Sequence, residues 1–157
     1  MQYIQPIEKI FSDSYNYSYP VDRTGLGLIG LGGVPVDQPS DTPWLKLRTN
    51  VGATSNGTIG PIGGNQKRQP FSVVVTVNIP KTTARSTAIF NYQDVATIEN
   101  HIDSFMLFTV FKPTSTTSIH LDTQIPKRVS NPDAGADDNW LTVYITYNYE
   151  YRYYVAA

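Results

Sequence analysis

The stretch WLTVYITYNYEYRYYV, residues 140–155, decides the fold class of this chain. Successive side chains of a β-strand point to opposite faces of a sheet, and the alternation in this stretch never slips. Leu141, Val143, Ile145 and the odd-numbered residues after them share one face, while Thr142 and the even-numbered residues share the other. The pattern predicts one strand of roughly 50 Å, longer than most strands, which bends or projects beyond its own sheet.

Several other segments have the alternation or composition of strands. Residues 44–49 place Leu45 and Leu47 inward between outward-facing cations, and residues 71–79 place five apolar side chains on one face. Ser104–Phe111 is apolar on both faces, which is typical of a strand inside a sandwich or at a subunit contact. Shorter strands are predicted within the ranges 7–19, 87–92 and 119–123.

Helix and loop signals are few and localised. One short helix is predicted after Asp94, because Val95, Ile98 and Ile102 then share a face. Ten of the eleven glycines lie between Gly25 and Gly64. Glycine and proline disfavour both helix and central strand, so residues 20–43 and 50–70 are predicted to be extended loops or arms.

These elements predict an all-β fold in a single domain that spans residues 1–157. The uneven strands and long connections favour an antiparallel two-sheet sandwich of jelly-roll or Greek-key type, with at most one short helix. A single open sheet is the second choice.

Composition narrows the function classes. The net charge is −1 with no block of like charge, so binding to nucleic acid through a basic arm is not expected. Cysteine is absent, which excludes disulfides and thiolate sites. We expect no signal peptide and no transmembrane segment, because the first residues lack a basic and an apolar region and no long apolar run follows.

The motifs that carry chemistry are sparse, so we expect neither an enzyme nor a cofactor. The run from Gly25 to Gly30 fits the G-x-G-x-x-G pattern of dinucleotide-binding folds, but more glycines and a proline follow it where a helix is required. Four residues form two His-x-Asp pairs, which adjacent strands could gather around a divalent ion. The simpler interpretation is that two unrelated surface pairs look alike by chance; the four residues are His101, Asp103, His120 and Asp122.

Aromatic and basic residues give candidates for interfaces. Apolar and tyrosine-rich strands that extend past their own sheet are expected to contact another subunit; the candidates are Phe105, Phe108, Phe111, Trp140, Tyr147, Tyr149, Tyr151 and Tyr153. The even-numbered face of residues 140–155 combines rings with hydrogen-bonding groups, which suits single-stranded RNA or sugars, although such faces are also common in sheets without a ligand. Possible nucleic-acid contacts are Lys67, Arg68 and Arg152.

The mobile-looking stretch Gly25–Pro43 and the strands Ser104–Phe111 and Trp140–Val155 together resemble small viral coat proteins of the single jelly-roll type. The resemblance is architectural and covers the second half of the chain better than the first. It implies a capsid or coat subunit that is made in the host cytoplasm and resides in the virion, with copies of itself and other capsid proteins as partners. Two alternatives stay open, a carbohydrate-binding or adhesin-like β-sandwich and a metal-dependent cupin-like enzyme.

Overall fold

The computed structural model describes residues 4–17, 19–38, 42–58, 65–80, 85–130 and 140–155. The nine strands in this part of the chain join one curled, mixed sheet that forms a half-barrel. The strands are β1 (Val21–Arg23), β2 (Leu28–Ile29), β3 (Trp44–Val51), β4 (Ser55–Thr58), β5 (Asn65–Pro80), β6 (Val110–Phe111), β7 (Thr117–Leu121), β8 (Lys127–Val129) and β9 (Trp140–Val155). The helices are α1 (Ile4–Ser14) and α2 (Arg85–Met106), and a short 3₁₀ turn spans Leu31–Gly33.

The centre of the sheet is the antiparallel pair of β5 and β9. Each strand has sixteen residues, and the pairing runs without a break from Asn65 opposite Val155 to Pro80 opposite Trp140. The predicted strand 140–155 is therefore confirmed, but it does not project beyond its sheet, because β5 matches its length. The strand order is β2-β1-β3-β5-β9-β7-β6, with β4 beside β5 and β8 beside β9. The pair of β1 and β3 is parallel, which makes the sheet mixed.

The two faces of the sheet differ in burial. Odd-numbered residues of β5 and β9 form the inner face, and α1 and α2 pack on it. Their alternation was predicted from the sequence, and the expected burial of Leu45 and Leu47 in β3 is also confirmed. The fully buried core includes Ile7, Phe11, Val73, Val75, Val77, Ile98, Ile102, Met106, Ile119 and Ile145. We call the opposite surface, formed by even-numbered residues of β3, β5 and β9, the outer face.

Helix α1 corrects the prediction of a strand in residues 7–19. Ile7 and Phe11 are both fully buried whereas Lys9 between them is exposed, which fits a helix, because residues 7, 9 and 11 of a strand would all share one face. Pro6 lies in the first turn, where the missing N–H costs no helical hydrogen bond. The period of two in the tyrosines that follow does not extend back over this segment.

Helix α2 is longer than the predicted short helix. The predicted shared face of Val95, Ile98 and Ile102 is confirmed. Residues 87–92, predicted as a strand, belong to α2, and so do the first residues of the predicted strand Ser104–Phe111. Met106 lies four residues after Ile102 and is fully buried on the same side of the helix, so the helical face continues into the apolar run.

The predicted two-sheet sandwich is not confirmed. The described strands form one sheet, and two helices take the place of a second sheet on the inner face, so the fold is β-rich rather than all-β. The predicted loops 20–43 and 50–70 contain strands β1, β2 and β4 and the beginning of β5. Among the described helices, none combines the length and apolar character needed to cross a bilayer.

Candidate functional site

Three of the predicted interface tyrosines belong to the protein's own core. Tyr147, Tyr149 and Tyr151 have exposed fractions of 0%, 2% and 4%, because they point from β9 toward the helices. The Tyr147 hydroxyl donates to Asp103 Oδ1 at 2.8 Å, and the Tyr149 hydroxyl donates to the carbonyl of Met106. These rings leave no surface for a partner, so the interface prediction is wrong for them.

Four of the other five predicted interface aromatics are partly buried against the same core, and Trp140 packs elsewhere. Phe108 stacks on Tyr149 with the ring centroids 5.1 Å apart, and Phe111 lies 6.0 Å from Phe108. Trp140 packs edge to face against Trp44 at 6.2 Å. Phe105 and Tyr153 also pack on the core. These contacts stabilise the protomer, and an interface role for the five residues stays a prediction.

The four predicted metal ligands do not come together. His101 in α2 lies among aromatic rings, 5.1 Å from the ring of Tyr17, and its Nε2 accepts a hydrogen bond from the Asn16 N–H at 3.3 Å. Asp103 is two residues away on a helix rather than a strand, so it points to another side and receives the Tyr147 hydroxyl.

The second His-x-Asp pair lies on β7 and the loop after it. His120 exchanges a hydrogen bond with Ser118 at 2.8 Å, and burial together with nearby Arg152 lowers its pKa below the usual 6.5. Asp122 accepts from the N–H groups of Gln124 and Ile125. Within the described residues, no group of three metal-ligating side chains occurs.

A charged cluster connects β8 to α2 at the inner face. Lys127 Nζ lies 2.6 Å from Glu99 Oε1 and 2.7 Å from Asp103 Oδ2. Burial opposes the charge of Lys127, but its hydrogen bonds with Asp103 and Glu99 outweigh that and raise its pKa. Burial, followed by the hydrogen bond to Asp103, raises the pKa of Tyr147 above its usual 10.0. The cluster attaches the helix to the sheet and has structural partners for every charge.

The outer face carries a groove along β5. Its floor consists of the short side chains Val74, Thr76 and Asn78, and its space is about 450 Å³. Long side chains of β3 flank one side, and Tyr144 of β9 flanks the other. We call this the β5 groove; its lining residues are Trp44, Lys46, Arg48, Asn50, Val74, Thr76, Asn78, Thr142 and Tyr144.

Polar groups at one end of the β5 groove are ordered. The Thr142 hydroxyl donates to Asn78 Oδ1 at 3.1 Å, and Asn78 is 8% exposed. The indole Nε1 of Trp44 is buried without an acceptor among the described residues. Unsatisfied buried donors are uncommon, and this one belongs to a residue that lines the groove.

The predicted nucleic-acid contacts lie near the other end of β5. Arg68 stands opposite Arg152 on the outer face, and both approach Glu150 Oε1, at 3.7 and 2.6 Å. Lys67 stands opposite Tyr153 and, as an odd-numbered residue of β5, belongs to the inner face. Only the two arginines therefore share the outer face, and they share one carboxylate.

The glycine-rich segment after β1 forms an apolar surface. Gly25 and Gly27 have φ angles of 81° and 90°, which glycine tolerates, and they turn the chain from β1 into antiparallel β2. Two glycines of the G-x-G-x-x-G pattern thus serve this turn, and Gly30 follows β2, where a short 3₁₀ turn begins instead of an α-helix that could receive a pyrophosphate. We call residues 25–36 the apolar segment; its large exposed side chains are Leu26, Leu31, Val34 and Val36, at 73%, 66%, 60% and 40%.

The β5 groove was not predicted from the sequence, and the apolar segment was predicted only as part of the arm that spans residues 20–43. Lys46 and Arg48 were recognised as outward-facing, but their position beside Tyr144 depends on the order β3-β5-β9. The signal that was available for the apolar segment was its combination of glycine with large aliphatic residues. For the groove, the local signs were the short polar residues at even positions of β5 and the even-numbered face of residues 140–155, to which Thr142 and Tyr144 belong.

Comparison with known proteins supports the fold and no more. No protein-family model matches the chain, and no curated protein matches it. One matching solved structure, of a protein designated by an identifier that states no activity, covers 96% of this chain and is itself covered to 95%. The two chains are 18% identical and superpose with a TM-score of 0.51, so they are similar in fold.

Proposed function

We propose that this chain is a structural subunit of a virus or phage particle that acts by self-assembly. The observation that carries the proposal is the apolar segment, where Leu31 and Val34 are 66% and 60% exposed on the isolated protomer. Large aliphatic side chains that are exposed together along one segment are typical of surfaces that contact another protein. Copies of the same chain are the partner, with other capsid proteins as further partners and the virion as the location.

The surface that receives the apolar segment is expected at the opposite end of the sheet. The segment includes β2, the first strand in the order, and its Val34–Val36 part folds back on β2 through a hydrogen bond from the Val36 N–H to the Leu28 carbonyl. The last strand is β6, where Val110 is 43% exposed and neighbouring Leu107 is 38% exposed. Two different patches that bind each other make a head-to-tail contact, which produces closed rings or open filaments.

Assembly is tested with paired surface variants. The double variant Leu31→Ser/Val34→Ser removes apolar area from the segment, and Ile125→Ser/Val51→Ser removes similar area elsewhere, where the exposed fractions are 51% and 46%. Light scattering after size exclusion and electron microscopy report the assembly of each protein over a range of concentrations. We expect oligomers for wild type and for the control, and monomers with an unchanged Tm for the segment variant.

Two results would contradict the proposal. Wild-type protein that remains monomeric at high concentration removes its basis, and equal assembly of both double variants removes the assigned surface. Binding of a monomer on a glycan array would favour the alternative of a carbohydrate-binding module. Trp44 and Tyr144 in the β5 groove are the rings that such a module would use.

A further inference from the structure

We propose that the β5 groove binds a single-stranded nucleic acid, with phosphates on its flanking cations and a base on its aromatic side. The inference concerns the outer face and does not depend on self-assembly through the apolar segment. Binding to nucleic acid and self-assembly can therefore be tested independently of each other.

The first argument is the distribution of charge. The described strands place five cations on the outer face against the two carboxylates of Asp22 and Glu150, whereas the whole chain has a net charge of −1. Positive charge is therefore concentrated on this face, as is typical of surfaces that bind phosphates. The five cations are Lys46, Arg48, Arg68, Arg128 and Arg152.

The five outer-face cations differ in whether a carboxylate neutralises their charge. Glu150 engages Arg68 and Arg152. Lys46, Arg48 and Arg128 make no ion pair with any described residue. Asp22 stands beside Lys46 in the sheet, but its Oδ1 accepts from the Gly27 N–H at 3.1 Å instead. Three cations are thus free to bind an anionic chain.

The spacing of the outer-face cations across the strands also fits a binding surface. Arg48, Val74, Thr146 and Arg128 form one row across four neighbouring strands. At the usual strand spacing, the two arginines are roughly 14 Å apart, with only short side chains between them. Lys46 lies two residues from Arg48 along β3, roughly 7 Å away. The cations therefore flank a floor on which an extended chain can lie.

A further argument is the aromatic side of the groove. Tyr144 is 45% exposed although it belongs to the central strand β9, and its ring borders the groove. Bases stack on exposed rings with little regard to sequence, and this is how many sheet faces hold single strands. Ring and cations together favour a nucleic acid over an acidic peptide or a neutral sugar.

The experiment titrates a fluorescein-labelled twelve-nucleotide oligo(U) RNA and its oligo(dT) counterpart by fluorescence polarisation at several salt concentrations. The groove variant Lys46→Gln/Arg48→Gln is compared with Lys9→Gln/Lys112→Gln, which changes the net charge equally at exposed lysines outside the groove. We expect the groove variant to lose roughly tenfold or more in affinity at low salt. The slope of log affinity against log salt should also become shallower by about 1.4, since each phosphate contributes about 0.7.

A third variant separates stacking from charge. Tyr144→Ser should reduce the affinity by about fivefold or more while leaving the salt slope unchanged. Thermal melts confirm that each variant is folded, and light scattering in the same buffer records its oligomeric state. Wild-type affinity in the control, together with these two signatures, supports the groove as the site.

Three outcomes overturn the proposal. The first is the absence of binding by wild type, and the second is an equal loss in the groove and control variants, which indicates general electrostatic attraction. The third is equal or tighter binding of heparin with the same dependence on Lys46 and Arg48, which assigns the groove to a sulfated sugar. In each case the oligomeric state measured in parallel decides separately whether self-assembly holds.

Discussion

Tyr147 and Tyr144 lie three residues apart on β9 and point to opposite faces of the sheet. Tyr147 is fully buried and hydrogen bonded to α2, whereas Tyr144 is 45% exposed and borders the β5 groove. Lys127 and Arg128 show the same contrast on β8, since the lysine pairs with two carboxylates of α2 and the arginine faces outward. One face of each of these strands therefore builds the fold, and the other face is available for binding.

The largest difference in stability is expected between the truncation of Tyr147 and the truncation of Tyr144. Tyr147→Ala leaves a cavity beneath α2 and removes one of the two hydrogen-bond partners of Asp103, so we expect the free energy of unfolding to fall by about 4 kcal/mol. Tyr144→Ala should change it by less than about 0.5 kcal/mol. Urea unfolding followed by circular dichroism measures both, and similar losses in the two variants would contradict the division between faces.

Alkaline pH perturbs the inner face selectively. Burial raises the pKa of Tyr147 and of Tyr149 above the usual 10.0, so both stay protonated in the folded state while the unfolded chain ionises. Their contribution is fully present below pH 10.0 and is lost as the pH rises further. At about pH 11, the two tyrosines together lower the free energy of unfolding by about 3 kcal/mol relative to its value below pH 10.0.

This dependence is measured as Tm from about pH 7 to about pH 11 by circular dichroism. Tyr147→Phe serves as the matched variant, because it keeps the ring but removes one ionisable group. Its Tm should decline less steeply than that of the wild type above pH 10.0. A wild-type Tm that stays constant across the range would show that these tyrosines are not buried.

The smallest expected effect distinguishes the two neighbouring cations of β8. Lys127→Met leaves Glu99 and Asp103 close together without their shared cation, which should lower the free energy of unfolding by about 2 kcal/mol. Arg128→Met breaks no ion pair within the described residues and should leave stability unchanged. It should weaken oligonucleotide binding instead, so a binding defect confined to Lys127→Met would reverse the assignment of faces.

Much of the sheet could be predicted from the sequence. Residues 140–155 and 71–79 alternate strictly, and a strand that is buried on one face must alternate in this way to keep apolar groups out of water. The helices were harder, because the apolar run Ser104–Phe111 has no clear period and α1 is followed by tyrosines with the spacing of a strand. In both cases a local pattern was consistent with two structures, and packing against the sheet selected one.

The site could be predicted only in part. Arg68 and Arg152 were identified as possible nucleic-acid contacts, but their pairing with Glu150 depends on the register of β5 and β9. Lys46 and Arg48 were identified as outward-facing, yet the sequence did not indicate a groove. Tyr147, Tyr149 and Tyr151 were assigned to an interface because the length of their strand was known and its partner strand and covering helix were not.

The sequence by itself determined which residues of each long strand share a face, because the backbone repeat of two is a local property. Which elements cover or flank each face follows only from the tertiary structure. The two long strands match in length and α2 covers their odd-numbered side, so the tyrosines become core. The neighbouring order of β3, β5, β9 and β8, set by long-range pairing, brings Lys46, Arg48 and Tyr144 to one groove and Arg128 to the same outer face.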